Sequence, residues 1–506
     1  MSKYNILIKN ISLNFITNGL ILILSVISVP IFINKLGYEQ FGLYLLFNIF
    51  IGYANYINNG TLTALTKYLV LFKKNKSDFI SSGLVVNSIL GVIIPFLYIF
   101  FGFIFMIATK NISQKLFEIY QTSLILSAIS IPFLYLGDVF WTYPFSLQKF
   151  EVSNIKDLIT GGLQIIGGLV IVLTGGNVIS LQIFRIFIHL LYMLFFLAIY
   201  YKYFEQRIEK ISVEAIHKII NYAKFKFITD LSGQFIFQSD KLIFSFANPI
   251  SYLPYYAVPV SVIQRLSFFI SNFVSAIFPF LINIRESMTI NIKKYYLKIN
   301  KGLNVLNILI LIFVFINAKE IMNLLVGEVF AIQTYLIMRI ISISYLIFNF
   351  AAIPTIMFES VEKPKIPSIF SLSTSILLSI LYIIFVPLNN IYGVPFSLLL
   401  SSLIMVPLFL IFTYKSFNLF SIKNLMINII YPLLIVTIIN TLLHFAVHQT
   451  TIRLVLLANL FLVFLISLIL NLFAFYIFGI VNKSDINKVK TIYTSFLNNK
   501  RLHNKI

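Results

Sequence analysis

Seven charged side chains interrupt the long apolar runs of this sequence, and their types indicate what chemistry the chain can do. They are Arg185, Lys241, Arg265, Arg339, Asp138, Asp230 and Asp240. An arginine fork can hold two phosphate oxygens and stays charged when water is removed, so the bases predict an anion-binding site. A carboxylate among apolar groups can exchange protons near neutral pH, which would suit ion coupling.

Most of these residues also have a structural interpretation. Arg185 and His189 lie one turn apart on one helix face, where they form a polar patch or help helices to pack. Asp240 and Lys241 are adjacent and point about 100° apart on a helix, so they need not neutralise each other. Asp240 could instead form a structural pair with Arg265. Both interpretations remain open from the sequence.

Two further charges are predicted to be structural. Arg339 lies inside an apolar run without a charged neighbour, and Asp138 lies near the end of another run. A side chain near the end of a spanning helix can extend its charged head to the membrane interface. We therefore predict that Asp138 reaches the interface and that Arg339 supports packing.

Amide and imidazole groups provide weaker signals. Asn18, Asn58 and Asn59 lie in apolar runs, where their amides could bind sugar hydroxyls or bond to neighbouring helices. His444 and His448 have the spacing of a metal pair, but no carboxylate follows them, so we predict a solvated turn.

Other patterns argue against an enzyme. The glycine pairs at 161–162 and 167–168 lack the strand and the lysine of a phosphate loop, so they predict close helix packing. The sequence contains no recognisable nucleophile triad, HExxH or Walker motif. We predict a protein that is not an enzyme and binds no cofactor.

The composition indicates which elements carry these residues. The chain has 506 residues, of which 59% are hydrophobic and 11% charged, whereas a soluble domain carries about 25% charged residues. Cysteine is absent, which excludes disulfides and thiolate chemistry. The apolar run at 11–33 is too long for a signal peptide, so we predict a retained spanning helix.

The apolar runs predict an all-α integral membrane protein. A helix needs about 20 apolar residues to cross about 30 Å of hydrocarbon, and by this measure the sequence predicts fourteen spans. They cover residues 10–33, 42–66, 79–107, 117–141, 156–174, 177–203, 221–247, 254–283, 297–317, 330–357, 367–387, 391–415, 427–446 and 452–479. A tight turn is predicted at 174–177, between the fifth and sixth spans.

The basic residues predict the orientation, because Lys and Arg near span ends stay on the cytoplasmic side. With both termini inside, 29 of the 38 Lys and Arg residues, Lys156 among them, fall on inside segments and five fall outside. The net charge of +21 is thus explained by topology and by attraction to anionic lipid, so we predict no nucleic-acid partner. The inside segment 203–220 predicts an amphipathic interfacial helix.

An internal repeat predicts the domain organisation, since transporters are often built from two related bundles. At an offset of 212 residues, FITN at 15–18 aligns with FITD at 227–230. We predict an N-lobe at 1–212 with six spans and a linker helix, a C-lobe at 213–424 with six spans, and two further spans with a basic tail at 425–506.

Two pairs of motifs carry a family resemblance. The stretch KLGYEQFGLY at 35–44, with Gly52-Tyr53 and NNG at 58–60, resembles the first two helices of the Wzx-type polysaccharide flippases. The stretches QSDKLI at 238–243 and YYAV at 255–258 resemble the seventh and eighth helices of that family. These flippases belong to the MOP transporter superfamily, and the resemblance covers about residues 1–420.

The resemblance implies a V-shaped pair of six-helix lobes in the bacterial cytoplasmic membrane that alternates access. Its cargo would be an undecaprenyl-diphosphate-linked oligosaccharide for surface polysaccharide, with membrane lipids, a polysaccharide polymerase and a chain-length protein as partners. Helices one, two, seven and eight would line the cavity, which makes Arg265 the best diphosphate ligand. The predicted substrate-binding residues are Arg265, Lys241, Arg185, Asn58, Asn59 and Asn18, and the predicted ion-coupling residues are Asp240 and Asp230, for a proton, sodium or membrane-potential drive.

Three alternatives stay open. A lipid II flippase would share the architecture, and substrate identity is not legible in the residues. A drug or metabolite antiporter of the same superfamily would have twelve helices and a cation site in place of a basic cavity. A membrane polysaccharide polymerase would need a long outer loop, whereas no predicted outside segment exceeds about a dozen residues.

Overall fold

The described part of the chain is entirely helical. The structure is a computed structural model, and it describes residues 3–71, 76–109, 114–147, 149–203, 211–267, 270, 274, 289–361, 363, 365–417, 419, 426–445 and 453–478. Within these ranges the backbone forms helices and turns without a strand. The predicted all-α fold class is therefore confirmed.

The helices of the first half follow the predicted apolar runs. They are α1 (Lys3–Leu71), α2 (Lys76–Ala108), α3 (Gln114–Ser146), α4 (Phe150–Ser153), α5 (Ile155–Asp157), a π-helix (Leu158–Leu163), α6 (Gln164–Leu173), α7 (Val178–Tyr203), α8 (Val213–Ala247), a 3-10 turn (Ile250–Tyr252) and α9 (253–267). The predicted turn at 174–177 lies between α6 and α7, and Gly175 there has a φ of 89°.

The helices of the second half are also long and apolar. They are α10 (Thr289–Ile316), α11 (Ala318–Leu325), α12 (Glu328–Asn349), α13 (Ala352–Ser360), α14 (Lys365–Asn389), a 3-10 turn (Asn390–Tyr392), α15 (Gly393–Ser416), a π-helix (Met426–Ile430), α16 (Tyr431–His444) and α17 (Arg453–Ile477). The predicted tenth span, at 330–357, is divided between α12 and α13 by a break at Phe350 and Ala351.

Eleven candidate membrane spans are present in the described residues, so the protein is a multi-pass membrane protein. The first of them, Gly19–Leu71, covers most of the first predicted span and all of the second, and a kink at Gly37, with φ 74°, separates the two. The predicted seventh span lies in α8, which is too polar to be one of the eleven, and the eighth extends beyond the described end of α9. The count of fourteen therefore stays a prediction.

The segment between α7 and α8 differs from the prediction of a separate interfacial helix at 203–220. Residues 204–210 lie outside the described part, and from Val213 onward the chain belongs to the continuous helix α8. Ser212 caps α8 by accepting from the backbone N–H of Ala215 at 3.2 Å. A hydrogen bond from Lys218 lowers the pKa of the exposed Glu214 carboxyl.

The chain forms two compact units. The first comprises Met1–Val262, Leu325–Gly327 and Lys365–Ser401, and the second comprises Ile263–Leu324, Glu328–Pro364 and Ser402–Ile506. Compactness is a different criterion from internal repetition, so the predicted lobes at 1–212 and 213–424 remain a prediction. In the first unit α3 packs between α2 and α7, and α1 packs along α8; in the second unit α10 packs against α12 and α16.

Glycine allows two motifs of the first unit to meet. A Cβ on Gly42 would lie 2.2 Å from the backbone oxygen of Ile250, so no larger residue fits without moving the backbone. One turn earlier on α1, the ring of Tyr38 stacks on Tyr255 with centroids 5.0 Å apart. The stretch at 35–44 is therefore held against the chain at 250–256.

This close approach predicts that Gly42→Ala destabilises the protein. Overpacking of this kind costs about 1–3 kcal/mol, and the obstructing atom belongs to the backbone, which cannot rotate away. The measurement is the thermal unfolding temperature of the purified protein in detergent, which should fall. The matched control is Gly19→Ala on the same helix, where nothing lies within 4 Å of the added Cβ, and where a small gain in helix propensity is expected. An equal response of the two variants would contradict the packing argument.

Candidate functional site

A polar cavity of about 370 Å³ lies inside the first unit. It is enclosed by α1, α3, the segment from α5 to α6, and α7. The side chains that give it polar character are Asn48, Asn55, Tyr56, Asn59, Asp138, Lys156, Thr160, Gln164, Arg185 and His189. Buried polar groups cost free energy unless they are hydrogen-bonded, so the partners of these residues decide what the cavity can bind.

Arg185 is the buried cation of this cavity, with only 1% of its surface exposed. It donates from Nη1 to Gln182 Oε1 at 2.8 Å and from Nη2 to Asn48 Oδ1. In the amide orientation that satisfies both of its atoms, Gln164 accepts from Arg185 Nε at 2.9 Å. The guanidinium also lies 5.8 Å from the ring centroid of Tyr44. Within the described residues these partners are all neutral, so the positive charge of Arg185 is not balanced by a carboxylate.

The negative charge of Asp138, by contrast, is balanced by a nearby base. Its Oδ1 lies 2.5 Å from Lys156 Nζ and accepts from the Tyr192 hydroxyl at 2.7 Å, while its Oδ2 accepts from Asn58 Nδ2 at 2.8 Å. The residue is 4% exposed. The structural role predicted for Asp138 agrees with these contacts, but the predicted route to the membrane interface is wrong, because the half-buried Lys156 pairs with the carboxylate inside the unit. Lys156, counted above among the inside flanking charges, is that base, and it also lies 4.4 Å from the ring centroid of Trp141.

A π-helix positions part of the wall. Single π-helical turns inside α-helices are frequent at functional sites because the extra residue re-aims side chains. Here the π-helix Leu158–Leu163 carries Thr160, and Gln164 follows it directly; both residues line the cavity. Gly167, one turn beyond Gln164, packs so closely on Phe184 that an added Cβ would lie 2.0 Å from its ring, which confirms the predicted close helix packing there.

A second pocket of about 210 Å³ contains another buried base. Lys241 of α8 is 8% exposed and donates from Nζ to Gln238 Oε1 at 3.1 Å. Lys241 and Gln238 line this pocket together with α1 residues that include Tyr53 and Tyr56. The pocket therefore combines a cation with phenol and amide groups.

Asp240 is not among the residues that line this pocket. Its Oδ2 accepts from the Tyr256 hydroxyl at 2.7 Å, and the Tyr256 ring stacks on Phe244 at 4.6 Å. The Oδ1 atom is buried and accepts no hydrogen bond from the described residues. The side chain that bonds to Asp240 is thus a neutral phenol, and the charge of the adjacent Lys241 also acts on the carboxylate.

The two cavities share a wall. Asn48, Gly52 and Tyr56 line both the polar cavity and the Lys241 pocket. All of these residues belong to α1, between its kink at Gly37 and its end at Leu71. One helix face therefore connects the surroundings of Arg185 with those of Lys241.

The structure brings together some of the predicted substrate-binding residues and separates others. Arg185 and Asn59 line the polar cavity, and Lys241 lines the neighbouring pocket. Asn58 lies behind the wall, bonded to Asp138 and Thr61, which agrees with the alternative of interhelical bonding. The backbones of Asn18 and Asp230 are helical, but their side chains lie outside the described part.

Arg265 belongs to the second unit. It is half-buried on α9 and is not among the residues that line the two cavities. Its neighbours are anchored inside that unit: Gln264 donates to the Tyr345 hydroxyl at 2.8 Å, and Ser267 accepts from Asn349 at 3.2 Å. Its predicted role in binding diphosphate stays a prediction.

Arg339 and His444, which were also singled out from the sequence, form hydrogen bonds in the second unit. Arg339 donates from Nε to the carbonyl of Phe315 at 3.1 Å and from Nη2 to that of Ile316 at 3.3 Å. It thus caps the last carbonyls of α10, a position where a cation is favourable. His444 lies 3.1 Å from Asn317 Oδ1, and His448, its predicted partner in spacing, lies outside the described residues.

Several site residues were missed from the sequence. Lys156 was interpreted as a flanking charge, although its position at the very start of an apolar run left a buried role open. Asn48, Asn55 and Gln164 are amides within apolar runs, which is the signal that drew attention to Asn58 and Asn59. Applying that signal to every span would have found them.

Comparison with solved structures shows the fold. The lipid II flippase MurJ in an inward closed conformation matches with a TM-score of 0.71 and 16% identity, over 90% of this chain and 97% of that one. An inward-facing multidrug resistance MATE family transporter of the MOP superfamily matches with a TM-score of 0.67 and 13% identity, over 78% and 94%. A MOP superfamily transporter from Pyrococcus furiosus matches with a TM-score of 0.54 and 13% identity, over 81% and 95%. The chain therefore shares the fold of these solved flippase and transporter structures.

Sequence comparisons add nothing to this, since no protein-family model and no curated protein matches the chain.

Proposed function

We propose that this protein is a flippase that moves an undecaprenyl-diphosphate-linked oligosaccharide across the bacterial cytoplasmic membrane by alternating access. The observation that carries the proposal is the buried Arg185 guanidinium, which lines a polar cavity and has neutral partners among the described residues. A buried cation without a carboxylate is costly, and a diphosphate entering the cavity would offset that cost. The forked geometry of the Arg185 guanidinium allows it to bind two phosphate oxygens at once.

The surroundings of Arg185 suit a glycan. Asn48, Asn59 and Gln164 offer amide donors and acceptors on the cavity wall. Asn55 also lines it, and its Oδ1 is buried without a hydrogen-bond partner in the described part of the chain. Sugar hydroxyls both donate and accept, so they can satisfy such groups. Lys241 supplies a second base in the adjoining pocket, and Arg265 of the second unit is kept as a candidate ligand from the family resemblance alone.

Transport needs a source of direction, because binding alone shifts no equilibrium across the membrane. We propose Asp240 as the coupling residue, because one of its carboxylate oxygens has no partner within the described residues. Tyr256 holds the other oxygen, so a proton or sodium ion would alter the contact between α8 and α9. Asp230 is retained as a second candidate from the sequence.

The antiporter alternative is less well supported by the cavity. A cationic drug would need a carboxylate that is free to pair with it, whereas Asp138 is already paired with Lys156 at 2.5 Å. A lipid II flippase, in contrast, would use the same diphosphate chemistry, and the fold match to MurJ agrees with it equally. The choice between the two glycans therefore depends on experiment.

A strain that lacks the gene tests the proposal. We expect it to lose surface polysaccharide and to accumulate the lipid-linked oligosaccharide on the cytoplasmic leaflet, and a plasmid copy should restore both. A plasmid carrying Arg265→Ala, at normal protein abundance, tests the role proposed for that residue by the same measurement. Arrest of cell-wall synthesis with normal surface polysaccharide would identify lipid II as the cargo. Unchanged levels of both glycans would refute the flippase proposal.

A further inference from the structure

An apolar groove of about 810 Å³ lies in the first unit, bounded by α1, α2, α8 and α14. Aromatic side chains form much of its wall, among them Phe50 and Tyr53 of α1, Phe101 of α2 and Phe246 of α8. Soluble proteins rarely leave apolar surfaces of this kind open. In a membrane-spanning unit, however, such a surface faces hydrocarbon.

The rim of the groove shows that it opens sideways. Phe101 is 61% exposed, Phe246 is 52% exposed and Ile383 of α14 is 76% exposed, and all three line the groove. Phe101 and Ile383 lie on candidate membrane spans, so we expect this edge of the groove to face hydrocarbon. The groove is therefore accessible from the bilayer.

The groove also lies at one end of three helices. It is lined by residues 94–105 of α2, 242–247 of α8 and 379–387 of α14, and each set lies in the C-terminal half of its helix. In the predicted orientation these ends face outward. The groove would thus be level with the outer leaflet, on the side where a flipped lipid must be released.

A cation lies directly beside this apolar surface. Tyr53 lines both the groove and the Lys241 pocket, so its ring forms the wall between them. On α8, Lys241 lines the pocket and the next residue, Leu242, lines the groove. The bilayer, the groove, the Lys241 pocket and the Arg185 cavity therefore adjoin one another in order of increasing polarity.

We propose that the groove holds the polyprenyl chain of the transported lipid while its diphosphate lies at Lys241. This inference rests on the proposed function, which supplies a lipid with an anionic head. A chain in the groove would stay in hydrocarbon, and the short distance across Tyr53 would let the head reach the bases without drawing the chain through polar surroundings. The groove thus sets the tail position, and the adjoining cavities set the head position.

Photo-crosslinking tests which lipid occupies the groove. A benzophenone amino acid is placed at Ile383 or at Ile384 in the full-length protein, in membranes that contain a radiolabelled polyprenyl-diphosphate sugar. These adjacent isoleucines share a helix and a depth, but Ile384 does not line the groove although it is 46% exposed. We expect several-fold more label from Ile383, because its side chain lines the groove and that of Ile384 does not. Unlabelled polyprenyl lipid should compete, and ordinary phospholipid should not.

A transport measurement tests whether occupancy matters. Ile383→Trp narrows the groove, so the prenyl chain should bury roughly two fewer methylene groups. We therefore expect the concentration of a long-chain substrate needed for half-maximal flipping to rise about tenfold. An analogue with a short prenyl chain should be flipped equally by wild type and variant. Ile384→Trp is the matched control and should resemble wild type with both substrates.

The outcomes separate the two proposals. Equal labelling at both positions, or competition by phospholipid alone, would mean that the groove holds bulk lipid and would overturn the inference. Equal transport by Ile383→Trp and Ile384→Trp would overturn it too, while leaving the flippase proposal intact. Failure of the wild-type protein to flip either substrate would refute the flippase proposal, and the inference would fall with it.

Discussion

Arg185→Gln is expected to lower flipping of a polyprenyl-diphosphate-linked sugar by about tenfold to 100-fold while leaving the protein folded. A hydrogen bond to a charged group contributes about 1.5–3 kcal/mol, and each 1.36 kcal/mol is a factor of ten. Stability should be kept, because the described partners of Arg185 are neutral and no carboxylate would be left unpaired. The measurements are flipping in proteoliposomes and thermal unfolding in detergent, and Arg185→Lys should retain part of the flipping.

Arg339→Gln is the matched control for this prediction. Arg339 is also an arginine inside a spanning helix, but it caps the carbonyls of Phe315 and Ile316. Its loss should lower the unfolding temperature and leave flipping per folded molecule unchanged. If Arg185→Gln instead lost stability and kept normal flipping per folded molecule, Arg185 would be a packing residue, as the alternative in the sequence analysis has it.

The Asp138–Lys156 pair is expected to show the largest effect on stability. Removing one partner of a fully buried ion pair costs about 3–5 kcal/mol, and because the Lys156 side chain is 22% exposed we expect a loss toward the lower end of that range. Asp138→Asn leaves Lys156 without its carboxylate, and Lys156→Met leaves the carboxylate with only Tyr192 and Asn58. Each single variant should unfold at a clearly lower temperature than the wild type in the same detergent.

The double variant Asp138→Asn with Lys156→Met completes the cycle. It removes both charges, so it should be more stable than either single variant. Its loss of unfolding free energy should therefore be smaller than the sum of the two single losses. Additive losses would show that the two residues act independently. That result would contradict the pairing seen at 2.5 Å.

Much of the fold was predictable because a spanning helix leaves a local signal. A run of about 20 apolar residues is recognisable without any knowledge of its partners, and α2, α3, α7, α14, α15 and α17 begin and end within a few residues of the predicted runs. Gly37 illustrates what that signal omits. The apolar pattern stops there as it would at a loop, whereas the chain kinks at one residue and continues as helix.

The site was predictable only in part, because a buried charge does not reveal its partner. Arg185 and His189 share one helix, so spacing placed them together, and both line the polar cavity. Asp138 and Lys156 lie on different helices, so no periodicity joins them, and Lys156 was counted as a flanking charge. The π-helix at Leu158–Leu163 is likewise invisible in the sequence, yet it presents Thr160 to the cavity.

Flipping by the purified wild-type protein in proteoliposomes tests the central claim most directly. The assay compares a polyprenyl-diphosphate sugar with an uncharged polyprenyl sugar of the same chain length, using an enzyme outside the vesicle that cleaves only exposed head groups. The account predicts that the diphosphate lipid crosses far faster than in protein-free vesicles and that the uncharged lipid does not. Equal rates for the two lipids, or no acceleration of either, would contradict it.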